Sequence, residues 1–168
     1  MSINHNSANL AVIEQITNNT TSWIGHNTDD SDVLCGQTFI APSEGDLGAI
    51  EVFSSVVAKP GKVVMTLHNF DPQQKSWGPA IGSASVELNK SFMNKWIPFF
   101  IPGMHLTKGK SYGFKLESSA AYFGLGEAAG ISSQPPYQNG QEWKSTNKDQ
   151  TGKYYNYFSL AFKVGFKA

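Results

Sequence analysis

Apolar and polar residues alternate with a period of two along most of this chain. In the segment 63–68, VVMTLH, every second side chain is apolar, and the segment 112–117, YGFKLE, alternates in the same way. The clearest case is the segment 158–166, FSLAFKVGF, in which large apolar residues occupy five alternate positions. Such alternation is typical of β-strands, and the last segment predicts a strand well inside a sandwich.

Four more segments are predicted strands: CGQTFIA, GAIEVFSS, GSASVEL and KWIPFFIP. The stretches between them, such as PSEGD, KPGK and DPQQKSWGP, are rich in turn-forming residues. Short strands at this spacing predict an all-β protein, a single antiparallel β-sandwich over residues 1–168. The structure of residues 1–32 is left open, because ANLAVIEQIT (8–17) fits a helix or a strand. Two departures from the strand rhythm, 71–79 and 127–153, are predicted loops.

The charge composition argues against polyanionic partners. The 168 residues include 13 basic and 13 acidic residues, so there is no long-range positive field to attract nucleic acid or anionic lipid. No apolar run approaches the length of a membrane span, and the amino terminus lacks the basic start and apolar run of a secretory signal. We therefore expect no nucleic acid partner, no membrane insertion and no signal peptide.

The signatures of catalysis are weak. GMHLTKGKS places five residues between Gly103 and Gly109 where a phosphate-binding loop needs four, so a turn is predicted there. The single cysteine, Cys35, excludes a multi-thiolate metal site and is expected to be a small buried side chain. The four histidines are scattered without the spacing of a zinc site: His5, His26, His68 and His105.

A glycoside hydrolase needs two facing carboxyl groups, one protonated and one ionised. Strand alternation already explains Glu87 and Glu117 as solvated residues. Whether any two carboxyl groups meet cannot be read from the sequence, so we predict that the protein is not an enzyme and keep a small hydrolase as an alternative. The candidate carboxylates are Glu51, Asp71, Glu87, Glu117, Glu127 and Glu142.

An oxygen-rich cluster, HNTDDSD, lies just before a predicted strand. Its carboxylate and amide oxygens are the kind of ligands that calcium prefers. The cluster lacks the glycine and the closing glutamate of an EF-hand loop, so an Asx turn is the alternative. Structural calcium is the only cofactor considered, and its candidate ligands are Asn27, Asp29, Asp30 and Asp32.

Two predicted loops, PPYQNGQEWKS (135–145) and NFDPQQKSWG (69–78), combine large aromatic rings with amides. A flat ring covers the C–H face of a sugar, while amides and carboxylates hydrogen-bond its hydroxyls. The two loops are therefore predicted to form one ligand site. The alternative is that the rings fold down as a lid against core residues such as Trp96. The predicted ligand-binding residues are Trp77, Tyr137, Trp143, Asp71, Gln74, Asn139 and Glu142.

The order of short motifs over residues 33–166, from GQTFIAPSEGDLGAIEVF through LTKGKSYGFKLE to SLAFKVGF, resembles the jelly-roll β-sandwich modules of bacterial secreted and surface proteins. Many of these are similar to carbohydrate-binding modules. The resemblance implies a jelly-roll fold, a neutral oligo- or polysaccharide partner and an extracellular or cell-surface location. The prediction is a non-catalytic carbohydrate-binding module, and the alternative beside the hydrolase is a structural or assembly domain of a surface appendage or phage-like fibre.

Overall fold

The computed structural model describes residues 9–28 and 31–168, and nearly all of its regular structure is antiparallel β-strand. Within these residues there is no α-helix, and one short 3-10 helix spans Lys90–Phe92. The prediction of an all-β antiparallel sandwich is confirmed. The jelly-roll connectivity remains a prediction.

Fourteen strands lie in the described part of the chain. They are β1 (Asn9–Gln15), β2 (Thr20–Thr28), β3 (Ser31–Ile40), β4 (Gly45–Lys59), β5 (Gly61–Asp71), β6 (Ser76–Leu88), β7 (Lys95–Phe99), β8 (His105–Leu106), β9 (Ser111–Glu117), β10 (Tyr122–Ala129), β11 (Glu142–Thr146), β12 (Asp149–Tyr155), β13 (Phe158–Leu160) and β14 (Phe162–Lys167).

The strands form one curled sheet that closes on its own core. Its hydrogen-bonded order is β1-β14-β4-β10-β2-β3-β9-β5-β6, and the shorter strands branch from this path. Strands β7 and β8 pair with β4, β11 pairs with β3 and β12, and β13 pairs with β10. The ring of Phe162 on β14 lies 6.2 Å from Phe39 of β3 and 5.8 Å from Phe114 of β9, so β14 faces these two strands across the core.

The predicted alternation supplies most of this core. Met65, Leu67, Phe114 and Phe162 are all fully buried. Trp96, which was predicted to lie in the core, is only half-buried instead. It stands on β7 opposite Phe53, and the ammonium of Lys163 lies 4.2 Å from the centre of its ring.

Two regions differ from the sequence prediction. The segment 8–17, for which the sequence allowed a helix or a strand, contains strand β1. In this strand buried Ile13 pairs with Val164 of β14. The predicted loop 127–153 contains β11 and most of β12, and only 72–75 of the other predicted loop lies outside a strand. Neighbouring residues Glu142 and Trp143 are both buried, because both faces of β11 are covered. A strand covered on both faces loses the alternation on which the prediction depended.

Candidate functional site

A cleft of about 370 Å³ opens at one end of the sheet. It lies where β3 ends and β9 begins, between the β5–β6 turn (72–75) and the loop 130–141. The two regions predicted to form one ligand site therefore both contribute to it. The cleft is lined by Thr38, Phe39, Ile40, Phe70, Pro72, Lys75, Ser111, Pro135, Gln138, Asn139, Gly140, Gln141 and Asn156.

The lining combines side-chain amides with apolar surface. Each amide offers both hydrogen-bond donors and an acceptor, and the apolar surface comes from Phe70, Pro72 and Pro135. Lys75 is the one charged residue of the lining, which contains no aspartate or glutamate. The amides of the cleft are Gln138, Asn139, Gln141 and Asn156.

The β5–β6 turn is held by its own polar contacts. Asp71 Oδ1 accepts hydrogen bonds from the backbone N–H groups of Gln73 (3.0 Å) and Gln74 (3.1 Å). Lys75 adopts a left-handed φ of 49°, and its carbonyl accepts a hydrogen bond from the Tyr154 hydroxyl at 3.0 Å. Of the predicted ligand residues here, Asp71 thus closes the turn, and Gln74 is exposed outside the cleft lining.

The loop 130–141 is fixed to β3 through Thr38. The hydroxyl of Thr38 accepts a hydrogen bond from the backbone of Gln141 at 2.8 Å, and the Thr38 N–H donates to the Gln141 carbonyl at 2.9 Å. A Cβ at Gly140 would lie 1.8 Å from the Thr38 carbonyl oxygen, so only glycine fits this approach. The cleft wall that carries Asn139 is therefore held against the sheet.

Tyr137 points into the sandwich instead of the cleft. Its ring meets Phe162 edge to face at 5.2 Å and packs against the hydrophobic core. Burial raises the pKa of Tyr137 to about 12. This predicted ligand residue therefore serves as a partly buried anchor of the loop.

The rings of Trp77 and Trp143 are in contact, as one shared site requires, but they do not form an exposed aromatic surface on which a sugar could stack. Their ring centres are 5.4 Å apart, and the Lys115 ammonium lies 4.7 and 4.6 Å from them. Trp143 is completely buried, and its Nε1 donates to the carbonyl of Thr151 on β12 at 3.1 Å. Because β12 covers this ring, Trp143 has no face to offer a ligand; Trp77 is half-buried beside it.

Glu142 lies in a buried cluster with Glu127 and Lys144. The side chains of Glu127 and Glu142 are 3% and 0% exposed, and Lys144 Nζ lies 3.1 Å from Glu127 Oε2 and 3.4 Å from Glu142 Oε2. Burial first, and then the neighbouring Glu127, raise the pKa of Glu142 to about 9. Neither carboxyl group lines the cleft, so Glu142 is not placed where a ligand in the cleft would reach it.

The oxygen-rich cluster is only partly described, because Asp29 and Asp30 lie outside the described residues. Asn27 is exposed, whereas Asp32 Oδ1 lies 2.6 Å from His26 Nδ1. Over residues 9–28 and 31–168, no three His, Cys, Asp or Glu side chains are grouped as a metal site would require. Calcium binding by Asn27, Asp29, Asp30 and Asp32 remains a prediction.

Comparison with known proteins supports the fold. No protein-family model matches the chain, and no curated protein matches it. The chain is similar to the lectin-like domain in the crystal structure of the cysteine protease and lectin-like domains of Cwp84, a surface layer associated protein of Clostridium difficile. The TM-score is 0.50 at 11% sequence identity. The match covers 82% of this chain and 33% of that one, so this chain spans about a third of its neighbour's length.

No helix in the part of the chain that the structure describes has both the length and the apolar character needed to cross a membrane.

Proposed function

We propose that this protein is a non-catalytic carbohydrate-binding domain that holds a neutral glycan in the cleft between the β5–β6 turn and the loop 130–141. The observation that carries the proposal is the lining, in which four amides surround apolar surface without a carboxylate. Sugars present both hydroxyls and C–H faces, and this mixture of donors, acceptors and apolar contacts suits them. The cleft of about 370 Å³ is within the size range of small-ligand sites.

The side-chain amides of the cleft are the groups that would form hydrogen bonds with the sugar hydroxyls. Gln138, Asn139 and Asn156 are exposed in the free protein, so a ligand reaches them without unfolding the loop. Phe70 and the prolines would contact the C–H faces, a role that the sequence prediction had given to the tryptophans. The likeness to a lectin-like domain supports this proposal, and that neighbour's surface layer association supports a cell-surface location for this protein too.

The same lining argues against a hydrolase. Glycosidic cleavage needs two carboxyl groups on either side of the scissile bond. Glu127 and Glu142, two carboxyl groups that approach each other, are buried outside the cleft. We therefore propose binding without bond cleavage.

The test is a glycan array, followed by retention on native gels that contain the best polysaccharide. We expect Asn139→Ala and Asn156→Ala each to weaken binding by roughly tenfold, because each removes hydrogen bonds worth about 1 kcal/mol or more. Both side chains are exposed, so the melting temperature should stay within about 2 °C of the wild type.

Gln73→Ala is the matched control, because Gln73 is an exposed amide in the same turn but does not line the cleft. Equal weakening by the control and the cleft variants would contradict the assignment of the site. A wild-type protein that binds no glycan and forms a stable oligomer would favour an assembly domain, and release of a sugar product would favour a hydrolase.

A further inference from the structure

The Glu127–Glu142–Lys144 cluster joins two strands that share no backbone hydrogen bonds. Glu127 lies on β10, which pairs with β2, β4 and β13, whereas Glu142 and Lys144 lie on β11, which pairs with β3 and β12. The side chains of Glu142 and Lys144 stand two residues apart on the same face of β11. The contact between Lys144 and Glu127 is therefore a side-chain link between separate parts of the sheet.

Charge and hydrogen bonding are unbalanced within the cluster. Two carboxyl groups share one ammonium group, and neither oxygen of Glu142, nor Oε2 of Glu127, has a well-aligned hydrogen-bond donor. Buried charges without full hydrogen bonding are costly, because the protein interior solvates them poorly. The surroundings are also apolar on one side, where the ring centres of Phe158 and Tyr155 lie 5.2 and 6.0 Å from Lys144 Nζ.

We propose that Lys144 and Glu127 condense into an intramolecular amide, an isopeptide bond between their side chains, with Glu142 transferring the protons. The Nζ atom of Lys144 attacks the Cδ atom of Glu127, forming the N–C bond. One C–O bond of Glu127 breaks, and its oxygen leaves as water. The Lys144 ammonium gives up both protons of that water and the Glu127 carboxylate gives its oxygen, so the reaction needs no oxidant, reductant or further reactant.

The geometry favours this step for two reasons. Lys144 Nζ already lies 3.1 Å from Oε2 of Glu127, so the two groups that would condense are held in contact, and holding reacting groups together lowers the entropic part of the barrier. Condensation also replaces a buried carboxylate and a partly buried ammonium with a neutral amide, whose carbonyl can accept the hydrogen bond that a protonated Glu142 has to donate. The side chain of Lys144 is 31% exposed, which gives the released water a route to solvent.

The titratable groups of the cluster and its surroundings set the protonation states from which the reaction begins. Burial, with a further contribution from Glu142, raises the pKa of the Cys35 thiol on β3, so it stays protonated and does not compete with the amine. Burial lowers the pKa of Lys144, but the carboxyl groups of Glu142 and Glu127 outweigh it and the net pKa is raised. The reaction therefore starts from an ion pair, in which the ammonium is not yet a nucleophile. The carboxyl of Glu142 is positioned to give its proton to Glu127 and then to take one from Lys144, which leaves the neutral amine that attacks.

Mass spectrometry of the denatured protein tests the proposal directly. The crosslinked chain is lighter than its sequence by one water. Trypsin cleaves after lysine and arginine, and this chain contains no arginine. In this region its cleavage sites follow Lys115, Lys144 and Lys148, with no other lysine between them. An amide on Lys144 blocks cleavage there, so we expect a peptide of residues 116–148 that lacks one water and whose fragments show a closed loop between positions 127 and 144. The unlinked protein instead gives the ordinary peptide 116–144.

Four variants locate the bond and its catalyst. Lys144→Arg keeps the positive charge, and Glu127→Ala removes the acyl partner, so both should have the full mass of their sequences. Glu142→Gln keeps both partners but cannot transfer protons, and its crosslinked fraction after equal incubation should be at least tenfold lower. Lys163→Arg is the matched control, because Lys163 is a half-buried lysine that lies opposite Glu51 in the register of β14 and β4. This variant should form the crosslink like the wild type.

A wild-type protein that retains its full mass after prolonged incubation and is cleaved at Lys144 would overturn the proposal. A loss of water that persists in Lys144→Arg would overturn it as well, because the dehydration would then lie elsewhere. These readouts are independent of glycan binding.

Discussion

At the scale of single residues, Trp143 is the largest side chain that the fold buries completely. Its indole rests over Gly36 of β3, its Nε1 donates to the Thr151 carbonyl, and Gly152 of β12 lies against the ring. A ring enclosed in this way contributes to stability through its packing, whatever the protein binds.

We therefore predict that Trp143→Ala lowers the free energy of unfolding by about 3–5 kcal/mol, the usual cost of emptying a buried aromatic site. Thermal denaturation should show a large decrease in melting temperature. Glycan retention by the fraction that remains folded should not change, because the ring does not line the cleft.

Trp23→Ala is the comparison for Trp143→Ala, since Trp23 is 41% exposed and stacks on Tyr122 at 5.0 Å. Its loss should cost much less stability than the loss of Trp143. If the two substitutions had equal effects, or if folded Trp143→Ala lost glycan binding, the packing role assigned to Trp143 would be wrong.

At the scale of elements, glycines on the outer face of β3 and β9 leave space for aromatic rings to pack against the backbone. A Cβ at Gly113 of β9 would lie 2.4 Å from the nearest ring carbon of Trp77, and a Cβ at Gly36 of β3 would lie 3.3 Å from the same ring. The absence of these side chains lets Trp77 of β6 pack close to the backbone of the sheet. The packing of the Trp77 ring over Gly113 thus helps to hold β6 against β9.

We predict that Gly113→Ala destabilises the protein by about 1–3 kcal/mol, the typical cost of overpacking. If the clash with Trp77 is the cause, the same substitution should cost little in a Trp77→Ala background, and a double-mutant cycle of unfolding free energies measures this coupling. Additive effects of the two substitutions would show that Gly113 is needed for another reason.

Strands whose large apolar residues alternate could be predicted from the sequence, whereas β11, which does not alternate, could not. Strands β5, β9 and β14 alternate and were located from their pattern. Strand β11 was assigned to a loop, since its neighbours Glu142 and Trp143 are buried on opposite faces.

The cleft was predictable only in part. Composition identified its two aromatic and amide-rich regions, and Asn139 does line it. Asn156 and Lys75 also line the cleft but were missed, because their approach depends on contacts between distant parts of the chain. The burial of Trp143 depends on β12, and nothing in the local sequence indicates that this strand covers it.

At the scale of the whole molecule, stability should depend on pH through the buried Glu142. Its pKa is raised from 4.5 to about 9 in the folded protein, chiefly by burial. Between these values the folded state holds a proton that the unfolded state releases. The free energy of unfolding therefore falls as pH rises through this window.

We predict that the melting temperature falls steadily from about pH 5 to about pH 9, and that Glu142→Gln flattens this dependence by mimicking the neutral acid at every pH. The quantity to compare is the slope of melting temperature against pH. The absolute melting temperature is less informative, because the proposed amide between Lys144 and Glu127 would change it while leaving the carboxyl group of Glu142 free to titrate. An unchanged slope in Glu142→Gln would show that Glu142 is not the group responsible.

His105 provides the control for this pH dependence. The hydrogen bonds that His105 donates to the carboxylates of Asp46 and Glu44 raise its pKa, so its contribution is present below about 6.5 and is lost as pH rises further. His105→Gln should therefore change the profile near neutrality and leave the alkaline part of the decline in place.

The contact between Trp77 and Trp143 also gives the molecule an optical signal of its own. Two indoles whose ring centres are 5.4 Å apart, with the Lys115 ammonium 4.7 and 4.6 Å from them, are expected to couple their electronic transitions. Phe70 touches Trp77 on one side and lines the cleft on the other. A molecule that enters the cleft and shifts Phe70 would thus alter near-ultraviolet circular dichroism and fluorescence, so binding can be followed without a label.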